Sequence, residues 1–90
     1  MVWKKNKNYL IRTVTHIQVG KLVKVTEKEL VLKDASWIAD TGRFMNALKD
    51  GLESQSESEI EPFPKGEVII GRGGVIDAVE YKHALPTVQK

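Results

Sequence analysis

Four consecutive residues, Gly71-Arg72-Gly73-Gly74, have the composition of a loop that wraps a phosphate: glycines let backbone amides close on an anion, and a basic side chain neutralises it. A Walker loop would continue with Lys and then Ser or Thr at the start of a helix, and a dinucleotide fingerprint would also open a helix. Here Val75-Ile76 follows, a β-like pair. The cluster therefore reads as a turn between two strands, its glycines supplying positive φ and a sharp change of direction.

The other chemistry-bearing side chains are sparse. His16 falls in a strand-like run and His83 in the tail, neither with a second histidine or a carboxylate at ligand spacing. Asp34 and Asp40 bracket Ala35-Ser36-Trp37-Ile38-Ala39, and Asp40 is as well placed to cap a helix as to act as an acid or base. Ser36 lacks the Gly-x-Ser-x-Gly elbow and a base. No catalytic set, metal centre or cofactor is expected from these residues, and the chain is read as a non-enzyme. Trp37, Arg43 and Phe44 could stack on and clamp a base or nucleotide, or could anchor a helix on the core.

These residues must be held by a mainly β framework. Asn8–Ile17 alternates and is rich in Tyr, Ile, Val and Thr, and Lys21–Val25 alternates again after Gly20. Thr26-Glu27-Lys28-Glu29 has the length of a hairpin connection, and Leu30–Ile38 resumes the pattern. One short helix is expected after Asp40 or Thr41 as cap, with Phe44 and Leu48 four residues apart and Gly51 at its end. Leu52–Gly66, with its repeated Ser and Glu and two prolines, reads as a mobile acidic loop. Glu67–Ile70 and Val75–Tyr81 complete five strands, so a small five-stranded barrel is expected, with residues 40–66 inserted between the third and fourth strands.

Ninety residues make one domain that removes only about 60–65% of its unfolded surface from water. With no cysteine there is no disulfide or thiolate zinc support, which leaves oligomerisation as the expected reinforcement. Charge is segregated: Met1–Lys33 holds eight basic and two acidic residues, whereas Asp50–Glu61 holds five acidic and no basic ones. Such blocks are solvated faces, or attract each other between subunits, or offer the basic one to polyanions. No run is apolar enough for a signal peptide or a bilayer span, so a cytoplasmic protein, or one inside a phage particle, is expected.

Arg72-Gly73-Gly74-Val75-Ile76 followed by Val79 resembles the second signature of Sm-like proteins, the family that includes Hfq. Gly20-Lys21-Leu22, Val25 and Leu30-Val31-Leu32-Lys33-Asp34-Ala35 are similar to the first. Together they cover about half the chain. The resemblance implies a bent Sm-like/SH3-like barrel and a ring of six or seven identical subunits, joined by edge pairing of the last two strands. It also implies RNA binding, in which Arg72 and Gly73 match half of a base pocket. Thr26 and Glu29 stand where RNA-binding members carry Asp and Asn, and the segment 40–66 replaces a short turn. A second likeness, through Tyr9–Val25, Asp34–Phe44 and Glu61–Pro86, is to small proteins of no assigned activity encoded in bacterial and phage genomes.

Three functions follow as expectations. The first is a homo-oligomeric assembly protein, a phage-associated or virion structural component. The second is a ring that binds single-stranded RNA through Arg72, the lysine-rich strands and His16. The third is a protein that sequesters a nucleotide with Trp37, Arg43 and Phe44.

Overall fold

A computed structural model describes residues 2–90 of the chain. It has six strands: β1 Asn8–Thr13, β2 Ile17–Val25, β3 Glu29–Asp40, β4 Glu59–Pro62, β5 Glu67–Gly71 and β6 Val75–Glu80. One helix, α1 Phe44–Asp50, follows β3, with short 3₁₀ turns at Leu52–Ser54 and Arg72–Gly74. All pairings are antiparallel, in the order β4-β3-β2-β1-β6, and β5 adds to β3. The mainly β framework with one short helix is present, but there are six strands rather than five. The sheet is open, because β5 and β6 do not pair with each other.

Two of the expected boundaries move, each for a local reason. The first turn lies at Val14–His16 rather than at Gly20, since the Thr13 Oγ1 accepts the His16 amide at 3.0 Å and closes a tight turn inside a β-branched run. Gly20 sits instead in the middle of β2, where a Cβ would lie 2.9 Å from the Ala35 Cβ and 3.1 Å from the Leu32 Cβ. Its role is close approach of two strands. The acidic segment is also ordered further than its composition suggests: Ile60 is fully buried, and Glu59–Pro62 pairs with Ser36–Asp40 as β4.

The twelve-residue β3 organises the sheet. Its first half pairs with β5 (Glu29↔Gly71 to Lys33↔Glu67) and its second half with β4 (Ser36↔Pro62 to Asp40↔Glu59). Between them lies an irregularity opposite Gly20, with Asp34 at φ 52°. Aspartate tolerates this left-handed conformation better than most residues, so the strand can bulge and bend there.

Both faces of the sheet are covered. On one, Tyr9, Ile11, Leu22, Leu30, Leu32, Ala35 and Ile70 form a core that the bend wraps on itself. Trp3 packs there through an edge-on contact with Tyr9, ring centroids 5.2 Å apart, so it docks on its own domain. On the other, Leu10, Val19, Ile38, Ile60 and Tyr81 meet Ala47 of α1 and Leu52. Phe44 and Leu48 lean on this second core, as their four-residue spacing predicts.

The start of α1 differs from expectation: no side chain caps it, and Asp40 Oδ1 instead accepts the Gly42 amide at 2.8 Å. Gly51 ends the helix at φ 99°, a left-handed position that suits glycine. Among the described residues, no helix is long and apolar enough to cross a membrane.

Candidate functional site

Antiparallel partners share a sheet face, so the register decides which candidate residues meet. Ile11, Gln18, Trp37 and Glu61 are successive partners across β1, β2, β3 and β4. Since Ile11 belongs to the first core, Trp37 lies on that face. Leu10 and Ile38 belong to the second core, and Phe44 packs there. Trp37 and Phe44 are therefore on opposite faces.

Arg43 is exposed and lines a separate recess with Gly42, Gln55, Ser56 and Glu57. The proposed clamp of Trp37, Arg43 and Phe44 is not assembled. The guanidinium over the Phe44 ring is that of Arg12, 4.9 Å from its centroid. Sequence reasoning missed Arg12, although its place in β1 opposite Asp77 is a register effect that only the pairing reveals. The Arg12 Nε donates to Asp77 Oδ1 at 2.8 Å, and a second nitrogen donates to Oδ2. This forked bond raises the Arg12 pKa and holds the Asp77 carboxyl below its ordinary value, in both cases chiefly through the hydrogen bond.

His16 and Trp37 do meet. His16 lies in the β1–β2 turn rather than in a strand, and its ring stands edge-on to Trp37 with centroids 5.8 Å apart. Both line a cleft with Gln18, Glu61, Pro62, Phe63 and Pro64. Phe63, which sequence reasoning passed over, is 40% exposed, and Trp37 is 38% exposed.

Arg72 and Gly73 form a second location, in a turn tied to the β1–β2 turn by the Val14 amide, which donates to Gly74 O at 3.1 Å. The Arg72 backbone amide donates to Lys28 O at 2.8 Å, and its guanidinium donates to Thr26 O at 2.6 Å. The 3₁₀ turn is thus tied to the β2–β3 connection, bringing Arg72 to Thr26–Glu29. Contrary to expectation, neither Gly71, Gly73 nor Gly74 has positive φ. A Cβ at any of them would meet nothing within 4 Å. The three glycines leave bare backbone beside Arg72.

His83 and Tyr81 are engaged in structure. His83 Nε2 contacts Leu48 O at 2.9 Å, and its ring lies edge-on to Tyr81. The Tyr81 hydroxyl accepts the buried Leu52 amide at 2.8 Å, and burial raises its pKa. Ser36 is fully buried. Among the described residues, no three His, Asp or Glu side chains converge as a metal ion would require.

The sheet edges differ sharply in how they are finished. β4 is short, carries Glu59 and Glu61, ends in Pro62, and is bridged by the tail: Ile60 and Lys90 exchange both backbone hydrogen bonds, at 2.8 and 2.9 Å. Edges closed in this way resist further pairing. Among the described residues, β5 pairs only with β3, and β6 only with β1. Their other edges are open and carry Ile69 and Ile76, each 64% exposed, and Val79, 38% exposed. Compared with family models, curated proteins and solved structures, the chain matches none.

Proposed function

We propose that the protein is a non-enzymatic assembly subunit that pairs with copies of itself, the β5 edge of one copy joining the β6 edge of the next. The observation that carries this reading is the pair of open edges, each bearing a largely exposed isoleucine, in a molecule that closes its third edge with a proline and a tail bridge. The two edges are different surfaces on one subunit, so their pairing is head to tail and closes into a ring when the rotation permits. A ring of six or seven, as the Sm-like resemblance implies, is the form proposed. It suits a structural component of a phage particle or a comparable array. Further support comes from the order β6-β1-β2-β3-β5, which is a five-stranded path once β4 is set aside as part of the 40–66 insertion.

Light scattering coupled to size exclusion tests the reading. A discrete oligomer at micromolar concentration is expected. A monomer that persists at millimolar concentration refutes it.

One observation favours a second reading, a ring that binds single-stranded RNA. Arg72 stands against the Thr26–Glu29 turn, and the bare backbone of Gly71, Gly73 and Gly74 is open beside it. Affinity for an oligonucleotide should then fall steeply with salt and fall again in Arg72→Ala. No binding at low salt removes this alternative while leaving the assembly reading intact.

A further inference from the structure

The cleft between the β1–β2 turn and the Pro62–Pro64 segment belongs to neither reading, and its chemistry is one-sided. It has about 530 Å³ of open space, lined by His16, Gln18, Trp37, Glu61, Phe63 and two prolines, with no lysine or arginine among the lining residues. Trp37 and Glu61 are direct cross-strand partners, so the indole and the carboxylate rise side by side from one face. Among the described residues, the one donor to that carboxylate is Gln89 Nε2, at 3.3 Å from Oε1.

Every one of these features calls for a donor or a positive charge. The faces of Trp37 and Phe63 carry the negative end of an aromatic quadrupole, and Glu61 carries a full negative charge. A phosphate would meet the Glu61 carboxylate with no lysine or arginine in the lining to offset it. A planar cation with several N–H groups matches the lining instead, and a guanidinium can lie on an indole while forking onto a carboxylate. We propose that this cleft is a binding site for an organic cation of the guanidinium class, such as an arginine side chain. Trp37 and Phe63 form its walls and Glu61 is its counter-charge.

The test uses Trp37 fluorescence in a Trp3→Phe background, titrated with N-acetyl-arginine amide and with its neutral isostere N-acetyl-citrulline amide. The arginine probe is expected to give a saturable change with a millimolar dissociation constant, at least about fivefold tighter than citrulline, in line with a cation–π contribution of about 1 kcal/mol. Glu61→Gln, an exposed substitution that leaves the fold intact, should remove most of that preference. Equal responses to the two probes, no saturation with either, or a preference unchanged in Glu61→Gln would overturn the proposal. Ile69→Pro, which should disrupt the β5 edge and leave the cleft untouched, should bind the probe as the parent does, so the outcome is separate from that of the assembly reading.

Discussion

Replacing Ile69 with proline should break self-association while leaving the subunit folded. Backbone N–H groups alternate in direction along a strand, and the Arg72 amide points inward to Lys28 O. By that alternation Ile70 and Val68 also point toward β3, whereas Ile69 points outward. Proline at 69 thus deletes a donor that β3 does not use, and its restriction on Val68 is already met in a strand. At the interface it removes one hydrogen bond and strands the neighbour's carbonyl, roughly 2–4 kcal/mol together, or about 30- to 700-fold in the dissociation constant. Sedimentation velocity should show monomer, and circular dichroism should show an unchanged β spectrum.

A second variant makes the experiment decisive. Ile76→Asp spoils the β6 edge by placing a carboxylate beside Asp77, yet keeps β5. Alone it should be monomeric. Mixed with Ile69→Pro, each partner contributes the edge the other has lost, and a one-to-one complex should form. If Ile69→Pro assembles as the parent does, or if the mixture stays monomeric while each variant is folded, the head-to-tail pairing is wrong.

Three further outcomes are expected. Gly20→Ala should lower stability by about 1–3 kcal/mol, because its methyl would sit 2.9 Å from the Ala35 Cβ and force β2 and β3 apart; a thermal midpoint lowered by several degrees checks it. Tyr81→Phe should cost about 1–3 kcal/mol in denaturant unfolding by leaving the buried Leu52 amide without its acceptor. Because burial raises the Tyr81 pKa, its contribution holds below the ordinary tyrosine range and fades as pH rises through the raised value, so an alkaline loss of stability should be weaker in the variant. The Arg12–Asp77 contact has the opposite sense: Asp77 is lowered, so its contribution is present above the ordinary carboxylate range and lost as pH falls through the lowered value. Asp77→Asn and the parent should therefore unfold at converging midpoints as the solution is acidified.

Most of the β framework was legible because β-branched residues mark β1, β2, β5 and β6, even where neighbouring residues are buried on both faces, as at Tyr9, Leu10 and Ile11. What misled was punctuation. Gly20 looked like a turn, but glycine also serves where two backbones crowd. The true turn used Thr13 and His16, residues that resemble the strands around them. β4 was hidden because a strand needs only one buried side chain when its neighbours provide the rest, and Ile60 is that residue in an acidic stretch. The candidate site was less legible still. Trp37 and Phe44 are seven residues apart in sequence, yet the register of β3 puts the indole on one face while α1 returns Phe44 to the other. Phe63 joins Trp37 only because β4 folds back along β3, a pairing between distant segments that local pattern does not encode.

The division of β3 at Asp34 has a consequence for how this domain tolerates change. One strand offers the same flank to two different neighbours in succession, so the strand pairing of the excursion from Thr41 to Lys65 is confined to the latter portion, while its helix and Leu52 lie over Leu10, Val19 and Tyr81. Lengthening its exposed turns would reshape one end of the molecule and its aromatic hollow, whereas removing Ala47, Leu52 or Ile60 would open the second core. The stretch from Glu29 to Lys33, and the strand docked on it, would keep their alignment.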